Sequence, residues 1–291
     1  MRLLKVIEEP RVTTRKPPFL RRRLGRRLRE MRESAGLGME QAAKQLDMPR
    51  TSLLRFESGA YRASVHLIRS MMDLYDCYVE DLLDEAREAL KPRWFHRFSS
   101  VDVGYVDVEA EAVLVREFGG LNLPGLLQTR SYARALLGRN PLLQSPKALD
   151  DQVEVRMIRQ GRLASEEDPL ELVAIVDEAA LRRRVGDEEV MRGQLERLLA
   201  AAGLETVTLQ VLPLHGGAHS AMVGSFTLLS FPEDYNPEML YVDHVGGALH
   251  IEEEAALQAA RLTFDRLRTD ALSPVDSLAL IERVRAERHD R

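Results

Sequence analysis

Residues 28–59, LREMRESAGLGMEQAAKQLDMPRTSLLRFESG, decide how the N-terminal third of the chain folds. The centre of this stretch reads as two short helices around a tight turn. MEQAAKQL at 39–46 puts the small residues Ala42 and Ala43 on one side, where a second helix crosses closely. Asp47 and Met48 form the turn, and aspartate tolerates left-handed backbone better than most residues. Pro49 has the fixed backbone angle that suits a helix's first turn, and TSLLRFESG runs from there to a terminating Gly59. Upstream, Leu20, Leu24, Leu28 and Met31 recur at spacings of three and four, which makes one apolar stripe on a first helix that ends near Gly36. Downstream, Ser64 caps a fourth helix carrying Val65, Ile68, Met71, Met72 and Tyr75, and VEDLLDEAREAL at 79–90 makes a fifth.

The whole chain has 291 residues, enough for two ordinary domains, and its 45% hydrophobic and 30% charged content is that of a globular protein. No stretch approaches the roughly 20 uninterrupted apolar residues that span a bilayer. The start MRLLKVIEEPRVTTRK has neither a long apolar core nor a small-residue cleavage site, so we expect a cytoplasmic protein. The single cysteine, Cys77, cannot form an intramolecular disulfide, and no paired His/Cys spacing supports a zinc site. We expect neither a metal nor a cofactor.

The net charge of −5 argues against nucleic acid only until it is divided along the chain. Residues 1–95 carry 20 Lys and Arg against 14 Asp and Glu, whereas residues 96–291 carry 21 against 32. Most of the positive excess lies in the first 34 residues. There RRRLGRR supplies Arg21, Arg22, Arg23, Arg26 and Arg27 beside an arm holding Arg11, Arg15 and Lys16. Clustered cations of this kind suit a phosphate backbone, although a solvated arginine-rich helix looks the same.

Beyond Pro92 the pattern changes. The segments 112–118, 170–177, 206–213, 224–231 and 239–244 read as strands, with helical spacing between and after them. A last helix begins at Ser273, with Pro274 in its first turn and Asp276 placed for a capping box. The fold class is therefore α+β: a five-helix domain, then a larger α+β domain whose mixed or antiparallel sheet has five or six strands. The expected divisions are a flexible basic arm at 1–18, the helical domain at 19–91, a linker at 92–104 with Trp94 and Phe95 packing, and the α+β domain at 105–291.

The first domain resembles the Xre/Cro-type helix-turn-helix family over residues 20–85, through LREMRESAGL, QAAKQL and LLRFESG at that family's separations. The resemblance implies a homodimer that binds an operator in double-stranded DNA, with the helix at 49–57 in the major groove. Carried onto this chain, the DNA-facing positions are Arg50, Thr51, Ser52, Leu54 and Arg55, with Arg21, Arg22 and Met39 beside them. Arginine can bridge the two acceptors of guanine, Thr and Ser can bond bases or phosphates, and Leu54 can pack on a thymine methyl. Leu53 and Phe56 fall on the core side. The family often pairs an arginine late in the first helix with a glutamate late in the third, here Arg32 and Glu57, which implies a buried structural salt bridge. This chain departs from the pattern at Gly38 and Met39, where a polar cap and a glutamine commonly open the second helix, and at Asp47, where glycine is usual.

The second domain resembles the effector half of a large actinomycete family of antitoxin-like transcriptional regulators. LPGLLQTRSYARALL, VDEAALRRRVG, MRGQLERLL and VTLQVLPLHGGAHSAMVGSFTLLSF carry the likeness over residues 105–285. It implies a regulator often encoded beside a small partner protein; our leading reading is a dimeric repressor or activator whose second domain receives a signal, either a small molecule or a small protein. The alternative reading is an antitoxin-like protein that neutralises its partner and autoregulates its operon. Candidate ligand or partner residues are Gln128, Glu178, Arg182, His215 and His219. Each has a plainer reading, as turn, helix cap or helix-end charge on a solvated face. A catalytic use of His215 or His219 with Ser220 lacks a supporting GxSxG or HExxH spacing, and we expect no enzyme.

Overall fold

The computed structural model describes residues 17–98, 104–141, 143, 145–232 and 238–289. The basic arm up to residue 16 and linker residues 99–103 lie outside the described residues. The chain divides into two compact units, Met1–Trp94 and Phe95–Arg291, with the division inside the stretch read as a linker.

The first unit is five helices: α1 (Phe19–Ser34), α2 (Met39–Gln45), α3 (Arg50–Glu57), α4 (Val65–Leu74) and α5 (Glu80–Leu90). The stripe on α1 buries Leu20, Leu24 and Leu28, and it packs with Ala42, Ala43, Leu53, Ile68, Met71, Met72, Leu82 and Ala86 into one core. Truncating a fully buried leucine such as Leu53 to alanine costs about 2–5 kcal/mol. The Leu67 N–H donates to the Ser64 hydroxyl at 3.2 Å, which fixes the start of α4. Helix α1 meets α3 and the turn that follows it at two glycines. A Cβ on Gly25 would lie 2.5 Å from the Glu57 carbonyl oxygen and 2.6 Å from that of Phe56. One on Gly59, which has φ +74°, would lie 2.6 Å from the Arg22 nitrogen. No side chain fits either position.

The second unit is built on a six-stranded mixed sheet in the order β3-β2-β1-β4-β5-β6. Its strands are β1 (Leu114–Gly119), β2 (Glu171–Asp177), β3 (Val207–Leu212), β4 (Phe226–Ser230), β5 (Met239–His244) and β6 (Gly247–Ile251). The pairs β1/β2 and β2/β3 are parallel; β1/β4, β4/β5 and β5/β6 are antiparallel. The sequence pattern named five of these strands. The sixth, GALHI, escaped because its residues are exposed or half-buried and leave no apolar run. The helices are α6 (Gly104–Glu109), α7 (Arg130–Leu137), α8 (Pro146–Arg159), α9 (Glu178–Arg182), α10 (Glu188–Ala201), α11 (Glu254–Asp270) and α12 (Pro274–His289).

One sheet face buries Phe118, Ile175, Leu228 and Leu240 against Leu257, Ala260, Phe264 and Leu267 of α11. The joint between α11 and α12 closes the β3 edge. The Val211 N–H donates to the Ser277 hydroxyl at 2.9 Å, and the Val211 carbonyl accepts from the Leu272 N–H at 2.9 Å. Among the described residues no helix is long and apolar enough to cross a membrane.

Candidate nucleic-acid interface

The turn between α2 and α3 is closed by its own backbone. Asp47 sits at φ 50°, and the Met48 N–H reaches back to the Ala43 carbonyl at 3.0 Å. Pro49 then stands at the N-cap of α3 with no side-chain cap bond, and its carbonyl accepts from the Ser52 N–H at 2.9 Å. The positive end of α3 carries no acidic residue in its first turn.

Along α3 the residues alternate by face. Leu53 and Glu57 are buried, while Arg50, Thr51, Leu54 and Arg55 are exposed and Ser52 is half-buried. Leu54 is 50% exposed beside Arg55 on this outer face. Arg50 makes no hydrogen bond or ion pair among the described residues. Arg55 differs. Its guanidinium lies 5.0 Å over the Tyr61 ring and donates to the Tyr61 hydroxyl, and Tyr61 packs edge-on against Phe56 at 5.7 Å. Arg55 is thus drawn toward the loop after α3 and away from its N-terminal end.

The inner face is locked by Arg32 and Glu57. The Arg32 Nε–Glu57 Oε1 distance is 2.7 Å, Nη2–Oε2 is 3.0 Å, and Nη1 donates to the Leu37 carbonyl at 2.8 Å. Both side chains are almost fully buried. The Glu57 carboxylate raises the Arg32 pKa, chiefly through the hydrogen bond. Burial, together with the Glu57 charge, pushes the phenol of the neighbouring Tyr75 up to about 12.

The RRRLGRR run splits in two. Arg23 and Arg27 point to Glu85 of α5, and Arg23 is 7% exposed, so these two are used inside the unit. Burial raises the Glu85 pKa despite the two guanidinium groups beside it. Arg21 and Arg22 are half-buried; Arg22 donates to the Pro17 carbonyl at 3.1 Å and lies 5.6 Å over the Phe19 ring. Met39 packs against the helical core. Gly38 caps α2 without a side-chain bond, and Glu40 in the first turn has the wrong sign for a phosphate neighbour.

In the second unit the candidate residues are tied into the fold. The buried amide of Gln128 donates to the Leu123 carbonyl at 2.7 Å and accepts from Arg156 at 2.6 Å. Gln160 and Gln194 complete this brace by bonding the backbone of residues 125–129. Glu178 accepts from the Leu214 N–H at 2.9 Å and from Arg182 at 2.7 Å, and Arg182 also pairs with Glu287. Burial works to raise the Glu178 pKa, but these donors together hold it below the usual carboxylate range. His219 lies 3.5 Å from the Asp177 carboxylate and edge-on to Phe118, whereas His215 is exposed. The Ser220 hydroxyl donates to the Thr263 carbonyl at 3.3 Å. Gln128 bonds to none of the other four candidates. Among the described residues no group of three His, Cys, Asp or Glu is arranged to hold a metal ion.

Sequence reasoning missed Gly25, Tyr61, Glu85 and the two supporting glutamines. A lone glycine inside a strong helical stripe was the one available signal, since it marks a close backbone approach.

A closed α2-turn-α3 unit with a cationic outer face defines the class, a helix-turn-helix DNA-binding domain, and a helix-turn-helix domain model matches residues 23–86. A model described as a domain of unknown function (DUF5753) matches residues 103–283, more than half of the chain, and the protein belongs to that family. No curated protein and no solved structure matches it.

Proposed function

We propose that this protein is a sequence-specific transcription regulator of the Xre/Cro type, acting in the cytoplasm as a homodimer. In this reading α3 enters the major groove, and residues 105–291 form a non-catalytic half through which a small molecule or a small partner protein sets DNA affinity. The observation that carries it is the division of α3, with Leu53 and Glu57 locked inward while Arg50, Thr51 and Leu54 face out. Arg50, in the first turn, is the base reader, and its bidentate partner is a guanine. Arg55, held back by Tyr61, takes a backbone phosphate together with the Tyr61 hydroxyl. Two recognition helices about one DNA turn, roughly 34 Å, apart would require a two-fold operator.

The test is selection of bound sequences from a random DNA pool with the purified protein. A two-fold motif that loses one defined base pair in each half-site in Arg50→Ala is the expected result. Uniform, sequence-blind retention would overturn the reading.

A further inference from the structure

On the sheet face opposite α11, Glu117 of β1, Thr227 of β4, Tyr241 of β5 and His250 of β6 stand in register, each beside the next. On the other side the row continues into Ala174 and Leu209, so its polarity stops at β1. The neighbouring row Val115, Leu229 and Met239 is buried and apolar, as a helix-covered sheet face normally is. The row is thus polar across four strands, with the Tyr241 ring packed on that of His250 at 5.2 Å and Glu117 at its inner end.

Over this row stand Tyr105 and Glu109 of α6 and Arg156 and Arg159 of α8. The Tyr105 ring lies 4.5 Å from that of Tyr241, and the Arg159 guanidinium lies 4.9 Å over Tyr105. Arg159 is matched by Glu109, with Nε donating at 2.6 Å. Tyr241 donates its hydroxyl to Asp243 at 2.6 Å. Two charged groups are left over. Among the described residues the Arg156 guanidinium bonds only to the neutral Gln128 amide, and its buried Nε has no partner. Glu117 has no hydrogen bond and no ion pair within 4 Å among the described residues, yet its half-buried carboxylate feels both arginines. Burial outweighs them and pushes Glu117 up to about 7, and burial pushes Arg156 down to about 10. Glu117 and the two arginines thus influence one another without forming a hydrogen bond or an ion pair within 4 Å among the described residues.

We propose that this cluster of side chains binds a small zwitterion of the α-amino-acid type, with its carboxylate on Arg156 and its ammonium on Glu117. A simple anion would meet Glu117, Glu109 and Asp243, and a simple cation would leave Arg156 unmatched. A molecule carrying both charges satisfies both ends, and the Tyr105 and Tyr241 rings beside them strengthen each charge-assisted bond by limiting water. The inference rests on the reading of residues 105–291 as the signal-receiving half, and it names the chemical class of the signal.

The test uses the full-length protein without DNA, in thermal-shift and calorimetric titrations with the proteinogenic α-amino acids and with the N-acetyl and methyl-ester forms of any that bind. A saturable response is expected to one or a few amino acids, weakened about tenfold or more when either charge is blocked. Binding should release protons near pH 7 and weaken as pH falls toward 5, because Glu117, among Tyr105, Glu109, Arg156, Arg159, Tyr241, Asp243 and His250, must give up its proton. Glu117→Gln should abolish that proton release, whereas Thr227→Val, in the same row but uncharged, should bind within a few-fold of the parent. Absence of any saturable response, or equal losses in Glu117→Gln and Thr227→Val, overturns the site. A ligand that binds but leaves DNA affinity unchanged leaves the site standing and removes its role as effector.

Discussion

Two buried or half-buried glutamates show how differently the two units use charge. Glu57, in the helical unit, meets Arg32 in a two-bond pair inside 3.0 Å. Glu117, in the middle of the sheet, lies near two arginines and touches neither. A closed pair of this kind holds helices in register and offers nothing further. An open one is costly to keep, because burying a charge without a partner costs several kcal/mol. The contrast teaches that the first unit closes its inner charges and leaves cations exposed on the surface of α3, whereas the second, among the described residues, keeps unmatched charge inside.

The contrast is sharpest in stability. Arg32→Ala should destabilise the helical unit by about 3–5 kcal/mol in chemical denaturation, because it strands Glu57, whereas an Arg32→Met/Glu57→Leu double variant should lose far less. Equal losses would mean that packing, and not the stranded charge, is the cause.

Glu117→Gln should act in the opposite direction. The folded chain holds the Glu117 proton up to about pH 7, whereas the unfolded chain sheds it near the ordinary carboxylate value. The cost of Glu117 is therefore absent below that value, grows as pH rises toward 7 and stays constant above. The variant should gain about 2–3 kcal/mol at pH 8 and nothing near pH 4. A pH-independent gain would place its cause outside titration.

On the DNA side the same distinction separates Arg50 from Arg55. Arg50→Ala should cost about 1–3 kcal/mol of discrimination at one base pair, while Arg55→Ala should weaken all sequences alike and reduce the salt slope by about one. Tyr61→Phe should have the smallest effect, about 0.5–1.5 kcal/mol of affinity with base preference unchanged, read in competition binding. A change of preferred base in Arg55→Ala would move that residue into the groove.

The helical unit was largely legible because its signals are local. Stripe spacing, Pro49, the turn at Asp47 and the cap at Ser64 each act within a few residues. The resemblance supplied Arg32 with Glu57, a pairing that spacing alone does not reveal. In the second unit the strands showed as apolar runs, but their order, and hence the row from Glu117 to His250, depends on pairings between distant segments. Glu117 was visible as one acid within AVLVREF, yet nothing local said which face it took. Gln128, Glu178 and Arg182 attracted attention as polar residues at element ends, where the fold uses them as ties. Tyr61 reaches back to a helix it follows, and no periodic pattern marks such a contact.

The two-glycine contact of α1 with α3 and the turn after it has a bearing on how this protein can vary. Since each glycine leaves room for the backbone of the facing segment, a larger residue at 25 or 59 cannot be rescued by trimming a side chain elsewhere. In a saturation scan these two positions, far apart along the chain, should reject substitution together, while the exposed α3 positions between them drift. New DNA specificities can then arise on a scaffold whose helix spacing does not change.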